Sequence, residues 1–150
     1  MADALTAAEL AQACARAMYA ADEASRRLGI TIEEVGPGRA TARMLVGDTM
    51  INGHDICHGG YVFVLADTAF GFACNTYGVV TVAAGADIVF VSAAGLGEEL
   101  VAEARERVRT GRSGVYDVTV RRDDGSVVAE FRGRSRELGK RRDYRGARAQ

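Results

Sequence analysis

The sequence predicts an α+β domain in which one antiparallel sheet wraps around one apolar helix. Three observations lead there. The run Tyr61 to Cys74 is apolar on every side and long enough for about four helical turns. Nearly everything after Tyr77-Gly78 reads as long alternating strands. Gly36-Pro37-Gly38 and Asp123-Asp124-Gly125 fall where hairpins need turns.

In chain order, Thr6-Ala7-Ala8-Glu9 has the spacing of a capping box, in which threonine and glutamate satisfy free N–H groups of a first helical turn. Leu10, Cys14, Ala17, Met18 and Ala21 then recur at helical spacing, predicting a helix to about Leu28, with Gly29 as its stop. Two extended runs, Ile30 to Val35 and Arg39 to Val46, form a hairpin around the Gly-Pro-Gly turn. A polar loop from Gly47 to His58 ends in Gly59-Gly60 and leads into the apolar helix. Beyond it, Val79 to Val91 is rich in strand formers. The next strand, Glu99 to Thr110, sets Leu100, Ala102, Ala104 and Val108 on one face and Val101, Glu103, Arg105, Arg107 and Arg109 on the other. Val115 to Arg121 and Val127 to Ser135 complete the sheet. With no repeat or linker, residues 1–139 are expected to form a single domain, and residues 140–150 a disordered basic tail.

Composition narrows the function classes. Of 150 residues, 48% are hydrophobic and 26% charged, and 19 basic side chains face 20 acidic ones. That balance excludes the basic face a nucleic-acid binder needs, although Arg132 to Arg148 is locally positive. The most apolar stretch is shorter than a membrane span and holds an aspartate, so no membrane partner is expected. Cys14, Cys57 and Cys74, odd in number and without a leader-like N-terminus, read as reduced thiols of a cytoplasmic protein.

Asp67 is the anomaly. It is the only formally charged residue between Gly59 and Asn75, and it sits mid-helix, where aspartate is disfavoured. Burying a charge without partners costs several kcal/mol or more and raises its pKa, and perturbed carboxylates in clefts often mark function. The bland alternative is a carboxylate that bonds a loop and fixes the helix. At the start of the same helix, Gly59 and Gly60 offer N–H groups and a partial positive charge suited to an oxyanion. A carboxylate and an oxyanion donor are the two parts that acyl transfer to water needs. By helical rise they lie about 10 Å apart, too far to act on one carbon, so the acid of one subunit would serve the helix start of another.

The pattern Asn52-Gly53, Cys57-His58-Gly59-Gly60, Leu65-Ala66-Asp67-Thr68-Ala69, Asn75 and Gly78 closely resembles the phenylacetic-acid-degradation (PaaI-type) thioesterases of the hot-dog superfamily. Thr110 to Asp117 is similar to that family's late hairpin and Phe131 to Ser135 to its last strand, so the likeness spans about Leu10 to Gly139. It implies a hot-dog fold of six strands around the central helix, dimers with shared active sites, and commonly tetramers. It also implies an acyl-CoA substrate of the phenylacetyl, hydroxyphenylacetyl or medium-chain kind, and no cofactor beyond the substrate's own CoA. By the same resemblance Asp67 would be the nucleophile or general base, and the Gly59 N–H would form the oxyanion hole. Asn52 and His58 would orient thioester and carboxylate, with Thr68 supporting Asp67. One departure stands out, because Ala84 occupies a position where several relatives carry a water-positioning serine.

Other residues admit two readings. Cys57-His58 could be a nucleophile pair, but neighbours on an extended loop point apart. His54, Asp55, Cys57 and His58 lack zinc-ligand spacing, so no metal site is expected. Arg132, Arg134 and Arg136 share one strand face and would either hold the CoA phosphates or form the solvated face of an edge strand. Phe63, Phe70 and Phe72 would line an acyl tunnel or belong to the core. Two rivals to thioester hydrolysis remain. A hydratase or dehydratase would pair a histidine with the helix acid, and a non-catalytic acyl-CoA-binding protein would usually carry a regulatory appendage.

Overall fold

The computed structural model describes residues 4–142. Two N-terminal helices, α1 (Ala7–Ala21) and α2 (Glu23–Arg27), precede the hairpin β1 (Thr31–Gly36) and β2 (Arg39–Leu45). A single 3-10 turn, Asp48–Met50, and a loop lead to α3 (Gly59–Cys74). Four strands follow: β3 (Val79–Phe90), β4 (Glu99–Thr110), β5 (Ser113–Arg122) and β6 (Val127–Arg141). All six strands form one antiparallel sheet ordered β1-β2-β4-β5-β6-β3. The helix α3 lies across its centre, mainly on β2, β4 and β5. The α+β architecture is therefore the one the sequence predicts.

Alternation builds the core. Ala40, Ala42 and Met44 of β2, Leu100, Ala102 and Ala104 of β4, and Val118 and Val120 of β5 all turn inward and are fully buried. They meet Leu65, Ala66, Ala69, Phe70 and Ala73 of α3. So many alanines on both surfaces let helix and sheet approach closely, and burying one large residue such as Leu65 contributes about 2–3 kcal/mol. Gly133 of β6 serves the same packing: a Cβ there would stand 2.7 Å from the Phe70 ring. Phe70 and Phe72 are buried and Phe63 packs edge-on against Phe131, so all three belong to the core rather than to a tunnel.

Four expectations are corrected. The first helix does not run unbroken to Leu28. Asp22 ends α1 and caps α2 by accepting from the Ser25 N–H at 3.0 Å, because a short carboxylate competes for backbone donors. The buried residues of α1 are Ala11, Ala13, Cys14 and Ala15, and the stripe does not reach Ala21. Val108 does not join the inner face of β4. A bulge between Glu106 and Val108 shifts the alternation and leaves Val108 exposed, while the Glu106 carboxylate accepts from the Tyr77 and Tyr116 hydroxyls. The last strand runs past Ser135 to Arg141, pairing with β3. Lys140 and Arg141 thus belong to the sheet, and 143–150 of the expected tail lie outside the described residues. Finally, β6 is flanked by β5 and β3, so its arginines do not sit on an edge strand.

The edges are β1 and β3. Helix α1 packs against β1, whereas the free side of β3 has no partner strand among the described residues and carries exposed Val82, Val89 and Phe90. On α3, the stripe Val64, Asp67, Thr68 and Gly71 is only half-buried. Among the described residues no helix is long and apolar enough to cross a membrane.

Candidate active site

The loop before α3 is organised by Asn52. Its Oδ1 accepts from the His54 N–H at 2.9 Å and from the Ile56 N–H at 3.4 Å, while its backbone N–H donates to Ile56 O. Asp55 completes this tight turn in the left-handed region at φ 61°, a conformation that aspartate tolerates better than most residues. With Oδ1 engaged, the Asn52 Nδ2 group is the part left to meet a ligand. Backbone bonds from Cys57 N–H to Ala94 O and from His58 N–H to Met50 O pin the loop's exit.

His58 is the N-cap of α3. Its Nδ1 accepts from the Gly60 N–H at 2.9 Å, and its carbonyl accepts from the Tyr61 N–H. An accepting Nδ1 carries no proton, so the ring proton sits on Nε2. These two bonds leave the Gly59 N–H as the first-turn donor without an acceptor among the described residues. Unpaired N–H groups and the helix dipole give this end a partial positive charge.

Asn52 and Gly59 open onto one cavity of about 470 Å3, walled mostly by hydrocarbon from Val62, Phe90, Val91 and Val128. Asp67 is not part of it. It lies two turns further along α3 on the half-buried stripe, where burial pushes its carboxyl above the ordinary carboxylate value. No donor among the described residues reaches it, and it shares no hydrogen bond with Thr68, the neighbour expected to support it. One chain therefore brings Asn52 and Gly59 together, caps the helix between them with His58, and holds Asp67 and Thr68 apart.

Arg132 and Arg134 stand on the outer face of the sheet, away from this cavity. Arg132 holds Asp117 with two bonds, at 2.7 and 2.9 Å, and Arg134 donates to Asp87 at 2.8 Å. Ala84 sits at a bulge in β3 and is exposed. The cysteines read as core: all three are buried, burial pushes the Cys57 thiol up, and Cys74 is pushed up to about 12. Among the described residues no three His, Cys, Asp or Glu side chains gather as a metal site would require, at His54 and Asp55 or elsewhere. A second cavity, of about 600 Å3 between α1 and β1, holds none of the sequence-predicted site residues.

Asn75 proves to be a clamp. Its Nδ2 donates to Gly71 O and to Thr81 O, both at 2.8 Å, and its Oδ1 accepts from the Thr81 N–H at 2.9 Å. It ties the end of α3 to the start of β3, which sets where β3 runs beside the site. Asn75→Ala leaves the backbone groups of buried Thr81 unpaired, and the expected loss is about 2–3 kcal/mol in chemical denaturation.

Phe90 is the site residue that sequence reasoning missed. Nothing in a strand-end phenylalanine marks it, since only the fold carries its ring to Gly59.

This fold, with a capped helix start beside an apolar cavity, is that of a thioesterase. The chain belongs to the thioesterase superfamily, whose family model matches residues 54–129. It is 42% identical over 125 residues to the acyl-coenzyme A thioesterase PaaI of Escherichia coli strain K12, covering 83% of this chain and 89% of that protein. The solved structure of the E. coli PaaI protein, from the phenylacetic acid degradation operon, superposes with a TM-score of 0.89 at 39% identity, covering 91% of this chain and 99% of that one. A Streptococcus mutans protein solved bound to acetyl CoA is similar at a TM-score of 0.72 and 26% identity, over 75% of this chain and 91% of that one.

Proposed function

We propose that the protein hydrolyses acyl-CoA thioesters to free acid and CoA, in active sites shared between two copies of the chain. The observation that carries this reading is the split of the machinery along α3. Among the described residues the Gly59 N–H, which faces the cavity, has no acceptor, and the ionisable Asp67, two turns away on a half-buried stripe, has no hydrogen-bond donor. The thioester carbonyl oxygen is held at Gly59 N–H, where the helix dipole favours the negative charge that develops on it. Asp67 of the other copy either attacks the carbonyl carbon or takes a proton from a water that does. On the water route the tetrahedral intermediate expels the CoA sulfur, which takes the proton Asp67 drew from the water and leaves as the thiol. On the attack route the expelled sulfur is protonated by solvent and leaves the acyl group as a mixed anhydride on Asp67, which a water then hydrolyses to the free acid and the restored carboxylate. Asn52 Nδ2 and the outer nitrogen of His58 orient the thioester, and Thr68 stands beside Asp67 to help place it. The substrate carries a phenylacetyl, hydroxyphenylacetyl or medium-chain acyl group, and the chemistry uses no cofactor.

The pairing has structural support. Beyond Thr81, which Asn75 holds, the β3 edge has no partner strand among the described residues, and with exposed Val82 and Val89 it is a template for a second copy. Two copies of α3 running antiparallel set each Asp67 toward the other's Gly59 when the two-fold axis passes near Phe63, midway between them. Gly71, one turn beyond Asp67, leaves open space where a Cβ would be, which suits close approach by the other copy. Pairs of such dimers make a tetramer. Arg132 and Arg134 remain candidates for the CoA phosphates. Their ion pairs with Asp117 and Asp87 are solvent-exposed and add little to stability, so exchanging a carboxylate for a phosphate costs little.

Thiol release from phenylacetyl-, hydroxyphenylacetyl-, hexanoyl- and octanoyl-CoA tests the reading. Steady release from at least one is expected. Binding to the whole panel without release would sink it.

A further inference from the structure

Phe90 ends β3, and its ring reaches the first turn of α3. A methyl group on Gly59 would stand 2.9 Å from the tip of that ring, so the ring fills the space a side chain at 59 would take. Gly59 does not adopt a left-handed backbone, and it is this contact rather than conformational freedom that leaves the position without a side chain. The residue is nonetheless 53% exposed, and it lines the cavity that Asn52 and Gly59 share.

We propose that Phe90 is a specificity-determining residue, its ring limiting the bulk that an acyl group can carry on the carbon next to the carbonyl. This rests on the hydrolase reading above, in which the carbonyl oxygen sits on Gly59 N–H. An oxygen about 2.9 Å from that nitrogen holds the carbonyl carbon and its neighbour beside the Gly59 Cα, and therefore against the ring. The acyl side, not the CoA side, is what the ring meets. Around it the wall is hydrocarbon from Val62, Val91 and Val128, and the Ser92 hydroxyl already donates to Val127 O at 2.7 Å. The two amides of a pantetheine arm would compete with the thioester for Asn52 Nδ2 and otherwise face hydrocarbon, at a cost of a few kcal/mol, whereas an acyl chain needs no partners. An unbranched methylene lies flat against the ring, but a methyl branch must displace a ring already backed by Gly59.

Wild type, Phe90→Leu and Phe90→Ala are compared by thiol release from butyryl-, isobutyryl-, hexanoyl- and 2-methylbutyryl-CoA. The ratio of kcat/KM for isobutyryl-CoA over butyryl-CoA is expected to rise about tenfold in Phe90→Ala, with Phe90→Leu between the two. An unchanged ratio in both variants overturns the proposal. So does a rise in KM common to the whole panel, which would place the ring on the pantetheine arm. Thermal melting checks folding, and if Phe90→Ala fails to fold, the ratio in Phe90→Leu decides. Absence of release by the wild type from any acyl-CoA would instead overturn the hydrolase reading, and this proposal with it.

Discussion

Asp67→Asn is expected to cut thiol release from acyl-CoA by a factor of hundreds or more, the loss typical of a central catalytic group. The amide keeps the shape of the carboxyl but can neither attack a carbonyl nor take a proton from water. Circular dichroism should be unchanged, because no donor among the described residues bonds the Asp67 side chain. Stability should not fall either. Burial raises the pKa of Asp67 above its value in the unfolded chain, so the folded protein holds this proton more tightly. Ionisation therefore costs stability: the cost is absent below the ordinary carboxylate range and fully present once pH exceeds the raised value. The asparagine variant lacks this cost, so its melting temperature near neutral pH should equal or exceed that of the wild type. Activity has the opposite dependence, since the working form is ionised, and kcat/KM should climb with pH through a midpoint above 3.8. Near-normal activity in Asp67→Asn would remove the carboxylate from the mechanism.

Gly59→Pro is expected to cost about 100- to 1000-fold in kcat, the range seen when one oxyanion donor is deleted. Proline is suited to the test because Gly59 is the first residue of α3, a position that accepts proline readily and whose N–H the helix itself does not use. His58, with φ −58° and ψ 132°, already has the extended backbone that a following proline demands. The added ring atoms also press on the tip of the Phe90 ring, which lies 2.9 Å from the new Cβ, so Gly59→Ala, which displaces that ring but keeps the N–H, is the control. The loss in Gly59→Pro beyond that in Gly59→Ala is therefore the part that belongs to the N–H. Paired with Asp67→Asn, the proline variant also tests the shared site. When the two inactive chains are mixed and allowed to reassort, a mixed dimer has one site with both Asp67 and Gly59 intact and one with neither. Random pairing should restore about a quarter of wild-type activity. A mixture as inactive as its parts would mean that each chain works alone, and the split along α3 would need another explanation.

Much of this was legible from the chain. The capping box at Thr6, the hairpin around Pro37, the apolar helix and the alternation of β4 through Ala104 all follow from local chemistry, and the structure bears them out. Asp67 stood out because a lone charge on an apolar helix is improbable without a use. The misreadings share one cause, which is that local pattern is blind to a contact made at a distance. Val108 faces outward because Glu106 is drawn to Tyr77 and Tyr116, residues remote in sequence. The ion pairs of Arg132 and Arg134 were equally hidden, because nothing local says that Asp117 and Asp87 will stand beside them across the sheet.

By itself the sequence determined the order of the elements, the family and which carboxylate stands out of place. These depend on periodicity, on turn chemistry and on one residue type out of place, all written in neighbouring positions. Tertiary structure decided which donor of the helix start stays free, since His58 must fold back onto Gly60 before Gly59 is left alone. It decided that Asn75 is a clamp, because Thr81 is brought to it only when β3 enters the sheet. It also decided that Phe90 walls the site, because strand order rather than spacing lays the end of β3 against the start of α3.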